Sequence, residues 1–117
     1  MSALVKRVED VAVDRGSCGM RRRLVTAEDC PCLGLSQLRI AGAVRHYHEH
    51  SHEIYYVLAG SGTLEVGEER VNLSRGSVVL IPPGTPHHAT SAGDLEVLVI
   101  MSPATAEGGD MVLVDPA

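Results

Sequence analysis

Four of the six histidines in this chain fall at alternate positions of one short segment: His46, His48, His50 and His52. Glu53 follows at once, and the other two histidines, His87 and His88, lie together further along. Imidazoles and carboxylates are ligands for borderline divalent ions, and histidine also moves protons near neutral pH. In an extended strand, side chains at i and i+2 share a face. His46 and His48 can therefore converge on one ion at about 2.0–2.1 Å each. A straight strand soon carries later residues out of reach, so a third ligand must come from another segment. Glu53, past a probable turn, is one candidate, and His87 or His88, after a proline-rich turn, is another. A slipped register with His48, His50 and His52 as ligands is open at this point, and so is a polar strand that binds nothing.

The surrounding elements have to be strands. Leu35, Leu38, Ile40 and residues 42–44 alternate approximately, and Glu53 to Ala59 is a dense run of β-formers closed by Gly60-Ser61-Gly62. Thr63 to Val66 and Val71 to Leu73 alternate around a turn at Gly67-Glu68-Glu69, which predicts a hairpin. Ser77 to Ile81 is a continuous apolar run, read as a strand buried on both faces. Pro82-Pro83-Gly84-Thr85-Pro86 forces a stiff turn before His87. Leu95 to Met101 reads as a last core strand, and Met111 to Val114 as an extra one. No segment has a convincing helical period. Residues 1–33 read as an N-terminal arm or edge strand, with an apolar stretch from Val8 to Val13, and residues 34–117 as one β domain.

Composition agrees. The chain has 117 residues, 12 Gly, 6 Pro, no Phe and no Trp, so Val, Leu, Ile and Ala must fill the interior. The net charge of −5 argues against nucleic-acid binding. Arg21-Arg22-Arg23, with Glu28 and Asp29 nearby, reads as a solvated or dimer-facing run. No apolar run approaches the roughly 20 residues that span a bilayer, so no membrane partner is expected. The N-terminus lacks the plan of a signal peptide, and the expected location is cytoplasmic. Cys18, Cys30 and Cys32, an odd number without an export signal, are expected to be reduced thiols.

Two stretches resemble the motifs of the cupins. His46-Tyr47-His48, four residues, Glu53, six residues and Gly60 resemble the first; Gly76, five residues, Pro82-Pro83-Gly84, two residues and His87 resemble the second. The resemblance spans roughly residues 35 to 101. It implies an all-β double-stranded β-helix, the jelly-roll barrel, with one divalent metal ion per chain held by His46, His48, Glu53 and His87. Two positions depart from the pattern: Ile40 stands where the first motif opens on glycine, and Ser91 where the second closes on asparagine.

His50 and His52 are extra to that set. They read as loop histidines at the barrel mouth, with proton transfer as their functional alternative and catalytic roles shared with Glu53. His88 should face away from His87. Tyr47, Tyr55 and Tyr56 read as packing residues, although a phenol reaching the cavity could orient a substrate. Arg39 and Arg45 read as surface residues. A cavity lined by Val, Leu and Ile suits a modest apolar or mixed small molecule. Three imidazoles and a carboxylate suit Fe, Mn, Ni, Co or Zn, with positions left for substrate or oxygen. The expected activity is dioxygenase, isomerase or cyclase chemistry in a homodimer whose arm around Val8 to Val13 packs on or exchanges with the partner's sheet; the competing class is a small-ligand-binding or sensory module.

Overall fold

The computed structural model describes residues 2–105 and 109–114. A single 3-10 turn, Val8–Asp10, precedes eleven strands among the described residues. They are β1 (Asp14–Gly16), β2 (Gly19–Val25), β3 (Gly34–Ile40), β4 (His46–His48), β5 (His52–Ala59), β6 (Ser61–Val66), β7 (Glu69–Ser74), β8 (Val78–Ile81), β9 (His87–Ser91), β10 (Glu96–Ser102) and β11 (Met111–Leu113). A six-stranded sheet runs β1-β2-β3-β10-β5-β8 and a five-stranded sheet runs β11-β4-β9-β6-β7. All the pairings are antiparallel. The chain crosses repeatedly between the sheets, which is the jelly-roll arrangement.

The inward faces build the core. Ile40, Tyr55, Val57, Leu64, Leu73, Ile81, Leu95 and Val97 are each at most 2% exposed. Burying an aliphatic side chain of this size stabilises by about 1.5–3 kcal/mol. Alternation on β5 decides its two faces: Glu53, Tyr55 and Val57 turn in, while His52 and Tyr56 are exposed.

The motif turns have physical reasons. Gly60 has φ of +79°, and a Cβ there would overlap the Asp94 carbonyl. Gly84, at φ +77°, donates its N–H to the His48 carbonyl at 2.7 Å, which ties the Pro82-Pro83-Gly84 turn to β4. The departures from the motif are accommodated. Ile40 is a core residue at 1% exposure. The Ser91 hydroxyl accepts the N–H groups of Gly93 and Leu95 at 3.0 and 3.2 Å, and so organises the turn into β10.

One expectation needs correction. The run from Ser77 to Ile81 is not buried on both faces, because β8 is the edge strand of its sheet and its outer face lies open. Val78 and Leu80 are 64% and 59% exposed, and only Val79 and Ile81 turn inward. Residues 14–25, within the segment read as an arm or edge strand, supply β1 and β2, which extend the sheet at its edge through pairing with β3.

Candidate metal centre

β4 and β9 meet where His46 faces His87 across the ladder. β5 of the other sheet brings Glu53 to the same place. His46 and His87 are 1% exposed and Glu53 4%. Their ring nitrogens and carboxylate oxygen form a group with all ligand atoms within 4.8 Å of one another. The His46 and His87 ring centroids are 4.5 Å apart. His48 stands at the rim of this group, with Nε2 3.4 Å from Glu53 Oε1.

The hydrogen bonds fix which nitrogen faces the centre. His46 Nδ1 donates to the Val44 carbonyl at 2.8 Å, and His87 Nδ1 donates to the Thr85 carbonyl at 2.9 Å. His48 Nδ1 donates to Asp110 Oδ1 at 2.7 Å. Each Nδ1 carries the proton, so each Nε2 presents a lone pair. His87 Nε2 lies 3.1 Å from Glu53 Oε1, and both atoms are buried without a hydrogen-bond partner. Two facing acceptors at that distance repel unless a proton or a cation lies between them. Donors on one ion with bonds of 2.0–2.1 Å are about 2.9–3.4 Å apart, and the observed 3.1 and 3.4 Å fit. The set is therefore fit for a divalent ion. Burial also holds the His46 imidazole below its ordinary pKa, with the Val44 carbonyl opposing, which favours the neutral ligand form.

Asp110 had no signal in the sequence. It precedes β11 and reaches a residue 62 positions away. Its second oxygen accepts the N–H groups of His50 and Ser51, each at 3.1 Å. Burial pushes this carboxyl up, but the His48 ring N–H and the two amides outweigh it and hold it below the usual range. A carboxylate behind a ligating imidazole sets its tautomer and orientation.

The remaining expected residues are placed elsewhere. His50 and His52 are exposed, and the structure does not bring them to the buried group. The His50 side chain is 74% exposed beside Glu49. His88 is half-buried with Nδ1 3.4 Å from Glu65. Arg39 pairs with Glu96 and Arg45 with Glu65, neither with Glu53. Tyr56 is exposed, whereas Tyr55 is buried at the cavity wall, with Oη 3.9 Å from Cys18 Sγ. Burial pushes its phenol well above 10, with the Cys18 thiol and Glu53 adding to the effect, so it keeps its proton.

His46, His48 and Glu53 open onto a cavity of about 940 Å³. Its wall is mostly apolar, with Leu38, Val44 and Val99 among the lining residues, and Arg15, Arg21, Arg23, Asp14 and Glu28 add charge to it. Arg21 and Arg23 thus also line the cavity, with side chains 18% and 40% exposed, because alternation on β2 turns both the same way.

The cupin domain model matches residues 40–102, which contain both motifs. This chain belongs to the cupin family. An uncharacterised protein of Methanocaldococcus jannaschii is 34% identical over 55 residues, 47% of this chain and 44% of that protein. The cupin described here thus spans less than half the length of that relative. A Streptomyces nucleoside dehydratase superposes with a TM-score of 0.83 at 18% identity, over 97% of this chain and 92% of the other. The ectoine synthase of P. lautus gives 0.80 at 16%, over 98% and 93%. These likenesses show a shared fold. No helix among the described residues is long and apolar enough to cross a membrane.

Proposed function

We propose that this cupin is a metal-dependent enzyme acting on a small, oxygen-rich metabolite at the His46, His48, Glu53 and His87 centre. One observation carries the reading: converging lone pairs and a carboxylate, with the histidine protons all turned away, on the wall of a cavity. Three buried polar groups, His46, Glu53 and His87, without a cation between them would be costly. A bound divalent ion would supply Lewis acidity toward a substrate oxygen. The chain's own residues do the rest. Val44, Thr85 and Asp110 hold the three rings, and Tyr55 keeps a proton at the cavity wall. Leu38, Val44 and Val99 give the cavity apolar surface beside the centre. The relatedness in fold to a dehydratase and a synthase favours turnover over a sensory role. Dioxygenase, isomerase and cyclase chemistry all suit a substrate that chelates through two oxygens.

The test is elemental analysis of protein purified without added metal, beside a His46→Ala control. About one divalent ion per chain, lost in the variant, supports the centre; no metal in either rejects it. Oxygen uptake by Fe(II)-loaded protein then selects a dioxygenase, and turnover under argon with Zn(II) or Ni(II) selects an isomerase or cyclase.

The homodimer belongs to the same proposal. Across β8, β5 and β10, Leu80 pairs with Ile54 and Ile54 with Ile100, and exposed Val78 and Tyr56 lie alongside. This apolar row at an unpaired sheet edge suits a second copy of the chain. Leu80→Lys should give a monomer by light scattering, and deletion of residues 2–12 should not. The reverse result would move the interface to the arm.

A further inference from the structure

The cavity has a second polar end, on β2. Arg21 and Arg23 point into it from positions i and i+2. Asp14 of the edge strand β1 shows what this pair can hold. Its Oδ1 accepts from Arg21 Nε at 2.7 Å, and its Oδ2 accepts from Arg23 Nη2 at 3.0 Å. One carboxylate thus bridges two guanidinium groups, each through a charge-assisted bond to a different oxygen. Gly16 makes the room: a Cβ there would meet Arg21 Cδ and Nη1 at 2.9 Å. Among the described residues that line the cavity outside the metal centre, three arginines face two carboxylates, Asp14 and Glu28. With Glu53 of the metal end included, the described lining balances three guanidinium groups against three carboxylates, so any positive excess is local to the β2 end.

This end lies within a small molecule's reach of the centre. The ladder runs from Arg23 to Ser36, Val99 and Tyr55, and Glu53 is the next inward residue on β5. Three strand spacings put the β2 and β5 backbones at most about 14 Å apart. Arginine side chains shorten that gap from one side and the ligand set from the other.

We infer that Arg21 and Arg23 form a carboxylate subsite, and that the ligand is a small organic acid with its anionic group here and a pair of chelating oxygens at the metal end. This rests on the proposed centre for its second half only. Asp14 competes for the same fork, so the incoming carboxylate shares the pair or displaces Asp14. A purely structural role would make Asp14 and the arginines equally necessary. A subsite gives them opposite effects.

The experiment uses Co(II)-loaded protein and three probes read by the cobalt spectrum. Catechol chelates without a distal charge; protocatechuate and the longer dihydrocaffeate chelate through the same two phenol oxygens and carry a carboxylate, which the saturated spacer of dihydrocaffeate insulates from the ring. Wild type should bind at least one of the acids about tenfold or more tightly than catechol, as a charge-assisted bond predicts. Arg23→Gln should remove that preference with catechol unchanged. Asp14→Asn should increase it, and Gly16→Ala, which displaces Arg21 without deleting a charge, should reduce it. No preference in wild type, equal weakening of acid and catechol by Arg23→Gln, or a loss in Asp14→Asn would overturn the subsite. Failure of the protein to take up cobalt would refute the centre separately. The subsite is then read as thermal stabilisation of metal-free protein by protocatechuate, present in wild type and absent in Arg23→Gln; its absence from wild type would reject the pair as well.

Discussion

His46 and His48 stand on β4 with both Nδ1 atoms committed, one to the Val44 carbonyl at 2.8 Å and one to Asp110 at 2.7 Å. His50 and His52 continue the same spacing and meet nothing comparable. His50 lies in the turn between β4 and β5, 74% exposed. His52 opens β5, where the alternation that turns Glu53 inward turns His52 out. Equal spacing therefore gives opposite fates. Period-two spacing puts side chains on one face only while the strand continues. A ligand also needs an acceptor behind its ring and another segment in front of it. β4 supplies both by pairing with β9 and β11. The turn after it supplies neither.

The sharpest way to widen this contrast is His48→Ala. Metal content should fall from about one per chain to near zero. The stabilisation linked to metal, about 2.7 kcal/mol at a metal concentration 100 times Kd, should vanish with it. Thermal unfolding with and without added Zn(II) reads the difference. A variant still stabilised by metal as strongly as wild type would show that the rim residue is not a ligand.

Asp110→Asn tests the anchor without touching a ligand. Removing a carboxylate partner behind a ligating imidazole costs about 10–100-fold in metal affinity. The amide can keep contact with His48 but does not stabilise the same ring proton. Competition against a chromophoric chelator measures the change. Because Asp110 joins β11 to the His48 ring and to the His50 and Ser51 amides, metal should also slow hydrogen exchange in Met111–Leu113 in wild type, and less so in the variant. Equal affinity in the two proteins would make the anchor irrelevant and leave strand pairing as the whole explanation.

The contrast also marks where the sequence can be read. The convergence of His46, Glu53 and His87, with His48 at its rim, was legible because local constraints frame these residues: Gly60 and Gly84 at positive φ, and prolines that end β8. The barrel was legible for the same reason, since turns and alternation are properties of neighbouring residues. Asp110 was not, because its contact spans 62 positions through a three-residue strand. The open face of β8 was misread because an apolar run looks the same at a sheet edge and at its centre. Arg21 and Arg23 looked like a solvated run, since only the pairing of β1 and β3 with β2 turns that face into a cavity wall.

The smallest effect belongs to the outer pair, and it is the one able to break the comparison. His50→Gln and His52→Gln, singly or together, should change neither metal content nor stability beyond about 0.5 kcal/mol, the usual range for exposed substitutions away from special features. The Asp110 carboxylate contacts the backbone N–H of His50 and not its ring, so glutamine leaves that bond in place. Side chains so exposed have no buried acceptor to lose. Chemistry at the centre should keep its rate and pH profile, because neither ring is among the residues that line the cavity. A drop in turnover with metal retained would return proton transfer to the outer histidines, and would mean that the turn between β4 and β5 folds over the cavity when substrate is present. A drop in metal content would be more damaging, since it would restore the slipped register in which His48, His50 and His52 bind together, a set that strand alternation and the exposure of both residues argue against.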